Sequence, residues 1–222
     1  MPPKMTGAPT GTSRAALVST EAVIRPHIRR TPVISLSGDD FGIDVESLSF
    51  KLEFMQHAGS FKTRGAFANL LTRSIPESGV VAASGGNHGA AVAYAAKVVG
   101  VPATIFVPDI SSAAKIDCIR GYGADLIVGG QGYAEALAAS ELWQAQSHAL
   151  PVHAFDQNET ICGQASLAIE LEEQCSALDT VLVSVGGGGL IAGVSAWYER
   201  KVKVIGVEPV ASPTLSDALA AG

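Results

Sequence analysis

In the stretch Gly59-Ser60-Phe61-Lys62-Thr63-Arg64-Gly65-Ala66, the residue types place an amine where its positive charge is opposed. Ser60 is a good helix N-cap type and apolar residues recur at helical spacing from Phe61 to Leu71. Lys62 is therefore expected in the first turn of a helix entered through Gly59. The positive end of the helix dipole disfavours a second cation there, so the neutral amine is easier to reach. A neutral amine is a nucleophile and forms an imine with an aldehyde. Most lysines are only solvated surface charges. The chemical reading of Lys62 therefore depends on what other stretches offer.

Gly186-Gly187-Gly188-Gly189-Leu190 joins a strand-like stretch to a helix-like one. Its backbone N–H groups, with the helix N-terminus behind them, can surround a phosphate with no side chain in the way. The stretch has neither the glycine-lysine pattern of a nucleotide P-loop nor a Gly-x-Gly-x-x-Gly followed by an acidic residue at the right distance. Glycines also serve plain sharp corners. The bend Ser84-Gly85-Gly86-Asn87-His88-Gly89 offers a hydroxyl, an amide and an imidazole at a strand end. Ser84, the backbone at Gly86 and His88 can grip a carboxylate, and Asn87 can donate to a phenolate oxygen, although Asn87 is equally suited to cap a helix. A nucleophilic amine, a phosphate cradle and a grip for a phenolate and a carboxylate are together what a pyridoxal phosphate enzyme requires.

Alternating elements position these stretches. A helix is expected over Ser19 to Arg30, bent at Pro26, and a strand over Leu48 to Leu52. Beyond Pro76 the pattern is regular. Strands are expected at Val80 to Ala83, Thr104 to Val107, Ala124 to Val128, Val152 to Phe155, Val181 to Val185 and Val202 to Val207. Between them lie helices at Ala90 to Val99, Ser112 to Gly121, Tyr133 to Ala149, Thr160 to Gln174 and Leu190 to Glu199. Strands that alternate with helices and lack a polar face form parallel sheets covered on both sides, so the fold class is α/β. Ligands of such sheets bind beyond the carboxyl ends of the strands, where the bend at Ser84, the glycine run and Glu208-Pro209 all fall.

With 47% hydrophobic and 16% charged residues, the 222-residue chain is too apolar for disorder and long enough for one sizeable core or two small ones. A net charge of -6 without a basic cluster argues against nucleic acid as a partner. Cys118, Cys162 and Cys175 are scattered and odd in number, which suggests reduced thiols of a cytoplasmic protein rather than disulfides or a zinc site. No apolar run reaches membrane-spanning length, and residues 1–12 read as a flexible tail.

The stretches Ser60 to Ala66, Ser84 to Gly89, Gly186 to Gly193 and Gly206-Val207-Glu208-Pro209 resemble, in order and spacing, those of the serine/threonine dehydratase family. That family comprises pyridoxal phosphate enzymes of the tryptophan synthase β-like fold, fold type II, with two domains. The resemblance implies that Lys62 holds the cofactor as an imine and later acts as the base at the substrate α-carbon. It implies that Phe61 lies against the cofactor ring, Asn87 bonds its 3-oxygen, and Gly186, Gly187, Gly188, Gly189 and Leu190 hold its phosphate. Ser84, Gly86 and His88 would lie in the loop that closes on the substrate carboxylate. The implied reaction is dehydration and deamination of L-threonine or L-serine to a 2-oxo acid and ammonia.

Serine racemases of this fold look as though they carry a serine at the position of Gly85, to protonate the opposite face. Glycine there speaks against the alternative reading as a serine or aspartate racemase. Relatives with a divalent cation place a glutamate at Glu208 and an aspartate soon after, but Ser212-Pro213-Thr214 lacks that aspartate. Residues 13–77 and 152–222 would form the larger, cofactor-anchoring domain and 78–151 a small lid domain. Homodimerisation is implied by the resemblance alone. Family members look longer at the C-terminus, where a residue bonds the pyridine nitrogen, so a truncated, non-catalytic fragment is a further reading.

Overall fold

The computed structural model describes residues 11–222, so the tail expected over residues 1–12 lies almost wholly outside the described residues. The first helix, α1 (Arg14–Ile24), starts earlier than the sequence suggests because the Ser13 hydroxyl accepts from Ala16 N. It also ends earlier, since Pro26 falls in a 3-10 turn over Arg25–His27. An antiparallel ribbon, β1 (Val33–Ser37) and β2 (Ser47–Lys51), follows. Two 3-10 turns then lead into α2 (Lys62–Thr72).

From there strand and helix alternate: β3 (Val80–Ala83), α3 (Asn87–Val99), β4 (Ala103–Val107), α4 (Ala113–Gly121), β5 (Asp125–Val128) and α5 (Tyr133–Ser147). The expected strand at Val152 to Phe155 is replaced by a two-residue strand, β6 (Leu150–Pro151). Its ladder ends with Val152 N donating to Val81 O at 2.9 Å, after which the His153 ring Nδ1 accepts from Asp156 N and turns the chain away. The run concludes with α6 (Asn158–Gln174), β7 (Thr180–Ser184), α7 (Gly189–Tyr198), β8 (Lys203–Val207) and α8 (Thr214–Ala221).

Strands β5-β4-β3-β6 form one parallel sheet, and β7 and β8 pair in parallel separately. Side chains alternate across a strand, so the four-stranded sheet has two apolar faces. Val80, Ala82, Ile105 and Val107 pack toward α3 and Ile119 of α4. Val81, Ala83 and Phe106 pack toward Ala136, Leu137 and Trp143 of α5. The small residues of α3 permit close approach: a β carbon on Gly89 would lie 2.3 Å from Ser84 O.

Helix α6 braces the lysine helix. A β carbon on Gly163 would lie 2.5 Å from Arg64 O, and one on Gly193 would lie 2.7 Å from Ile161 O. Both α2 and α7 therefore cross α6 at distances that only glycine allows, which fixes the separation between Lys62 and the glycine run before α7.

Candidate active site

Helix α2 opens at Phe61 rather than at Ser60. No side chain caps it, and Ser60 Oγ is buried without a hydrogen-bond partner. Lys62 is still in the first turn. Its Nζ donates to Ala154 O at 2.6 Å and stands 5.3 Å from the centroid of the Phe61 ring. Among the described residues no carboxylate is bonded to it. Burial with no counter-ion lowers the amine pKa to about 8.

The amine lies in a cleft of about 250 Å³ shared with Phe61, Phe155, Ser184, Val185, the four glycines and Leu190. Each glycine of the run has its own reason. A β carbon on Gly187 would strike the Phe155 ring at 2.1 Å, and one on Gly189 would lie 2.8 Å from Phe155 Cα. Gly188 adopts a left-handed φ of +87°, which glycine takes without cost. Around Gly186 and Gly188 a β carbon would meet nothing within 4 Å, so the approach to the backbone is open. The first N–H groups of α7 have no partner within the helix and its dipole adds positive potential. This bare backbone, opposite a depressed lysine in one cleft, fits a cofactor that carries both a phosphate and an aldehyde.

Thr214 Oγ1 donates to Gly186 O at 2.6 Å and ties α8 to the run. Glu208, a doubtful cation ligand without a following aspartate, caps α8, accepting from Leu215 N at 2.7 Å and Ser216 N at 2.9 Å. Those bonds, with one from the Ser216 hydroxyl, hold its carboxyl below the usual range. No group of three or more potential metal-binding side chains gathers among the described residues.

The bend Ser84 to Gly89 stands at the carboxyl end of β3. Ser84 Oγ accepts from Gly86 N at 3.1 Å, which shapes the bend. Gly86 rather than Asn87 precedes α3, no side chain caps it, and Asn87 is exposed on its first turn. His88 turns inward, with Nε2 2.9 Å from Val152 O. Burial lowers its pKa to about 4, aided by the nearby charge of Lys62. The ring is neutral at pH 7, and a carbonyl only accepts, so Nε2 carries the proton. That leaves no ring N–H on His88 to donate to a substrate carboxylate.

The cleft thus unites Lys62, Phe61, the glycine run and Leu190, whereas Ser84 and Gly86 in the bend after β3, and Asn87 and His88 in the first turn of α3, are not among the residues that line it. Phe155 and Ala154 were not foreseen. Their stretch reads as a plain apolar strand, and a backbone carbonyl acting as the lysine's acceptor leaves no trace in residue type.

A family model described as pyridoxal-phosphate dependent enzyme matches residues 24–222. The L-threonine ammonia-lyase of Geobacter sulfurreducens is 36% identical over 207 residues, covering 90% of this chain and 50% of that protein. A serine racemase of Oryza sativa subsp. indica is also 36% identical over 207 residues, covering 91% and 61%. The solved structure of maize serine racemase superposes with a TM-score of 0.90 at 33% identity, covering 96% of this chain and 66% of that one. The chain spans about half to three-fifths of the length of these curated relatives. Among the described residues no helix is long and apolar enough to cross a membrane. With the cleft, the motifs and the superposition in agreement, the chain belongs to the pyridoxal-phosphate dependent enzymes, in the serine/threonine dehydratase family of the tryptophan synthase β-like fold.

Proposed function

We propose that this chain dehydrates and deaminates L-threonine or L-serine by β-elimination, giving a 2-oxo acid and ammonia. The observation that carries the reading is a buried amine with a pKa of about 8, facing a glycine run, with no side chain at Gly85 to protonate a second face. Lys62 would hold pyridoxal 5'-phosphate through Nζ, with Phe61 against its ring and Asn87 donating to its 3-oxygen. The N–H groups of Gly186 to Leu190 would hold the phosphate. When bound, the cofactor supplies an electron sink for charge developing at the substrate α-carbon.

The residues do the rest. Neutral Lys62 takes the α-proton at Nζ. Backbone N–H groups around Gly86 to His88, with Ser84, hold the carboxylate so that the α-hydrogen points at that amine. The β-hydroxyl takes up a proton, balanced by the one that Lys62 Nζ has removed from the α-carbon, and departs as water; the released unsaturated amine then takes up water and gives the 2-oxo acid and ammonia. Residues 78–151 would act as the lid and exclude water from the cleft, with 13–77 and 152–222 as the anchor. The serine racemases among the relatives give racemization as the second reading, which the chirality of recovered substrate separates from elimination.

The test is an absorbance spectrum of the purified chain with pyridoxal 5'-phosphate, before and after borohydride and then with L-threonine, alongside Lys62→Ala. A band near ~410 nm that borohydride fixes only when Lys62 is present, with 2-oxo acid formed from threonine, is the expected result. A chain with no Lys62-dependent band would sink the proposal.

A further inference from the structure

The turn after β6 touches both halves of the cleft. Ala154 O accepts the Lys62 Nζ bond at 2.6 Å. Phe155 packs under the glycine run, where β carbons on Gly187 and Gly189 would lie 2.1 Å from its ring and 2.8 Å from its Cα. His153 folds this turn, although it is only half-buried and is not among the residues that line the cleft. Its ring Nδ1 accepts from Asp156 N at 2.8 Å and from Phe155 N at 3.3 Å, so that nitrogen carries no proton. The rings of His153 and Phe155 meet edge to face, with centroids 4.6 Å apart. The backbone of His153 is pinned as well: its N–H donates to Gln157 Oε1 at 3.0 Å and its carbonyl accepts from Thr160 Oγ1 at 2.9 Å.

We propose that His153 is a positioning residue: by accepting two backbone N–H groups at one ring nitrogen, it folds the turn that sets the Ala154 carbonyl against Lys62 and Phe155 against the glycine run. The alternative for this stretch is the strand that its apolar sequence favours, with β6 continuing beside β3. A strand directs its carbonyls within the plane of the sheet, so Ala154 O would face a neighbouring strand instead of the amine. The ring acceptor takes the N–H groups of Phe155 and Asp156 out of that ladder and satisfies them locally. A side chain that bonds the backbone two and three residues onward is the device by which asparagine and aspartate fold turns. His Nδ1 and Asn Oδ1 are the same number of bonds from the main chain, so asparagine can supply the acceptor without the ring. The consequence for cofactor capture rests on the reading of Lys62 given above, whereas the fold of the turn does not.

The first experiment is amide hydrogen exchange at Phe155 and Asp156 in the full chain without cofactor, comparing the wild type with His153→Leu and His153→Asn. Leucine keeps bulk and removes the acceptor, so both amides should exchange at least about tenfold faster. Asparagine should keep them within about threefold of the wild type. If His153→Leu does not fold, His153→Gln, whose oxygen lies one bond farther out, takes its place with the same expectation. Unchanged exchange in the variant without the acceptor would overturn the role of the ring.

The second experiment titrates the same three proteins with pyridoxal 5'-phosphate and follows the Lys62-dependent absorbance band. His153→Leu should weaken capture at least about tenfold, because the amine and the glycine run lose their common support, and His153→Asn should restore most of it. Equal losses in the two variants, following their melting temperatures, would reduce His153 to ordinary packing and overturn the positioning role. A wild type without the band would instead remove the elimination reading, and the exchange comparison would still decide whether the ring holds the turn against Lys62.

Discussion

Helix α2 carries two cations two residues apart, and the molecule treats them in opposite ways. Residues i and i+2 point to different sides of a helix. Lys62 faces the cleft and bonds one neutral carbonyl. Arg64 is fully buried on the other side, where it makes paired bonds to Glu53 at 2.7 and 2.8 Å and to Glu170 at 2.8 and 2.9 Å. Lys51 and Arg25 reach Glu170 as well, at 2.6 and 2.7 Å, and Glu21 pairs with Arg25. Three cations thus meet three carboxylates on the back of the helix. Burial works against the charge of both Lys62 and Arg64, but only Arg64 has carboxylates to offset it, and its pKa rises while that of Lys62 falls. The partners decide whether a buried cation keeps its charge, and here one helix contains both answers.

The largest expected effect separates the two sides. Glu170→Gln leaves Arg64, Lys51 and Arg25 facing each other with one carboxylate fewer among them. Breaking a buried pair from one side costs about 4 kcal/mol, or roughly 10 °C in melting temperature. Lys62→Ala should abolish activity and move the melting temperature by less than about 2 °C, because it removes a cation that has no ionic partner. A small change for Glu170→Gln would show the network to be ornamental. The pH dependence follows the same group. Burial alone would raise the Glu170 pKa, but its bonds to Arg64, Lys51 and Arg25 bring it down to about 2. Its contribution is complete above the ordinary glutamate value of 4.5 and is lost as pH falls from there toward 2, so acid unfolding of Glu170→Gln should be flatter across that window.

The front of the helix was legible in the sequence and the back was not. Lys62, the glycine run and the Ser84 bend stand out because each is marked by residue type at short spacing. The regular apolar alternation after Pro76 likewise gave the parallel sheet, since both faces of those strands are covered. Glu53, Arg64 and Glu170 lie far apart in the chain, and nothing local marks a glutamate in the middle of α6 as the centre of an ion network. Ser60 reads as a cap, but Phe61 takes the N-cap position of α2 and the buried Ser60 hydroxyl has no partner. The strand expected at Val152 to Phe155 lost its ladder where His153 turns the chain, and that turn brings Phe155 beneath the glycines and the Ala154 carbonyl to the amine.

A medium effect tests whether the cleft side is maintained by missing side chains, as the opposite side is by charges. Gly187→Ala drives a methyl group into the Phe155 ring and should cost about 2 kcal/mol by overpacking. Gly186→Ala, whose methyl group meets nothing within 4 Å, should leave the melting temperature within about 1 °C. It should nevertheless weaken pyridoxal 5'-phosphate binding, because the methyl group enters the open approach to the backbone. The two variants separate in melting curves and converge in cofactor titrations. Equal melting temperatures for both would mean that Phe155 does not set the shape of the run.

The smallest effect concerns the charge of Lys62 itself. Only the neutral amine attacks an aldehyde, so the rate at which the apo chain captures pyridoxal 5'-phosphate should rise with pH and level off above about 8. Between pH 7 and pH 8 the neutral fraction grows about fivefold, and the capture rate should follow it. The same depression has a stability signature. Between about 8 and the ordinary lysine value of 10.5 the unfolded chain binds more protons than the folded one, so the folded apo chain gains stability as pH rises through that range. In Lys62→Met both signatures vanish together, and subtracting its melting profile from that of the wild type removes the contribution of other groups that titrate there. A capture rate that keeps rising to pH 10 would mean that burial does not depress the amine, and the contrast between Lys62 and Arg64 would then reduce to one of position.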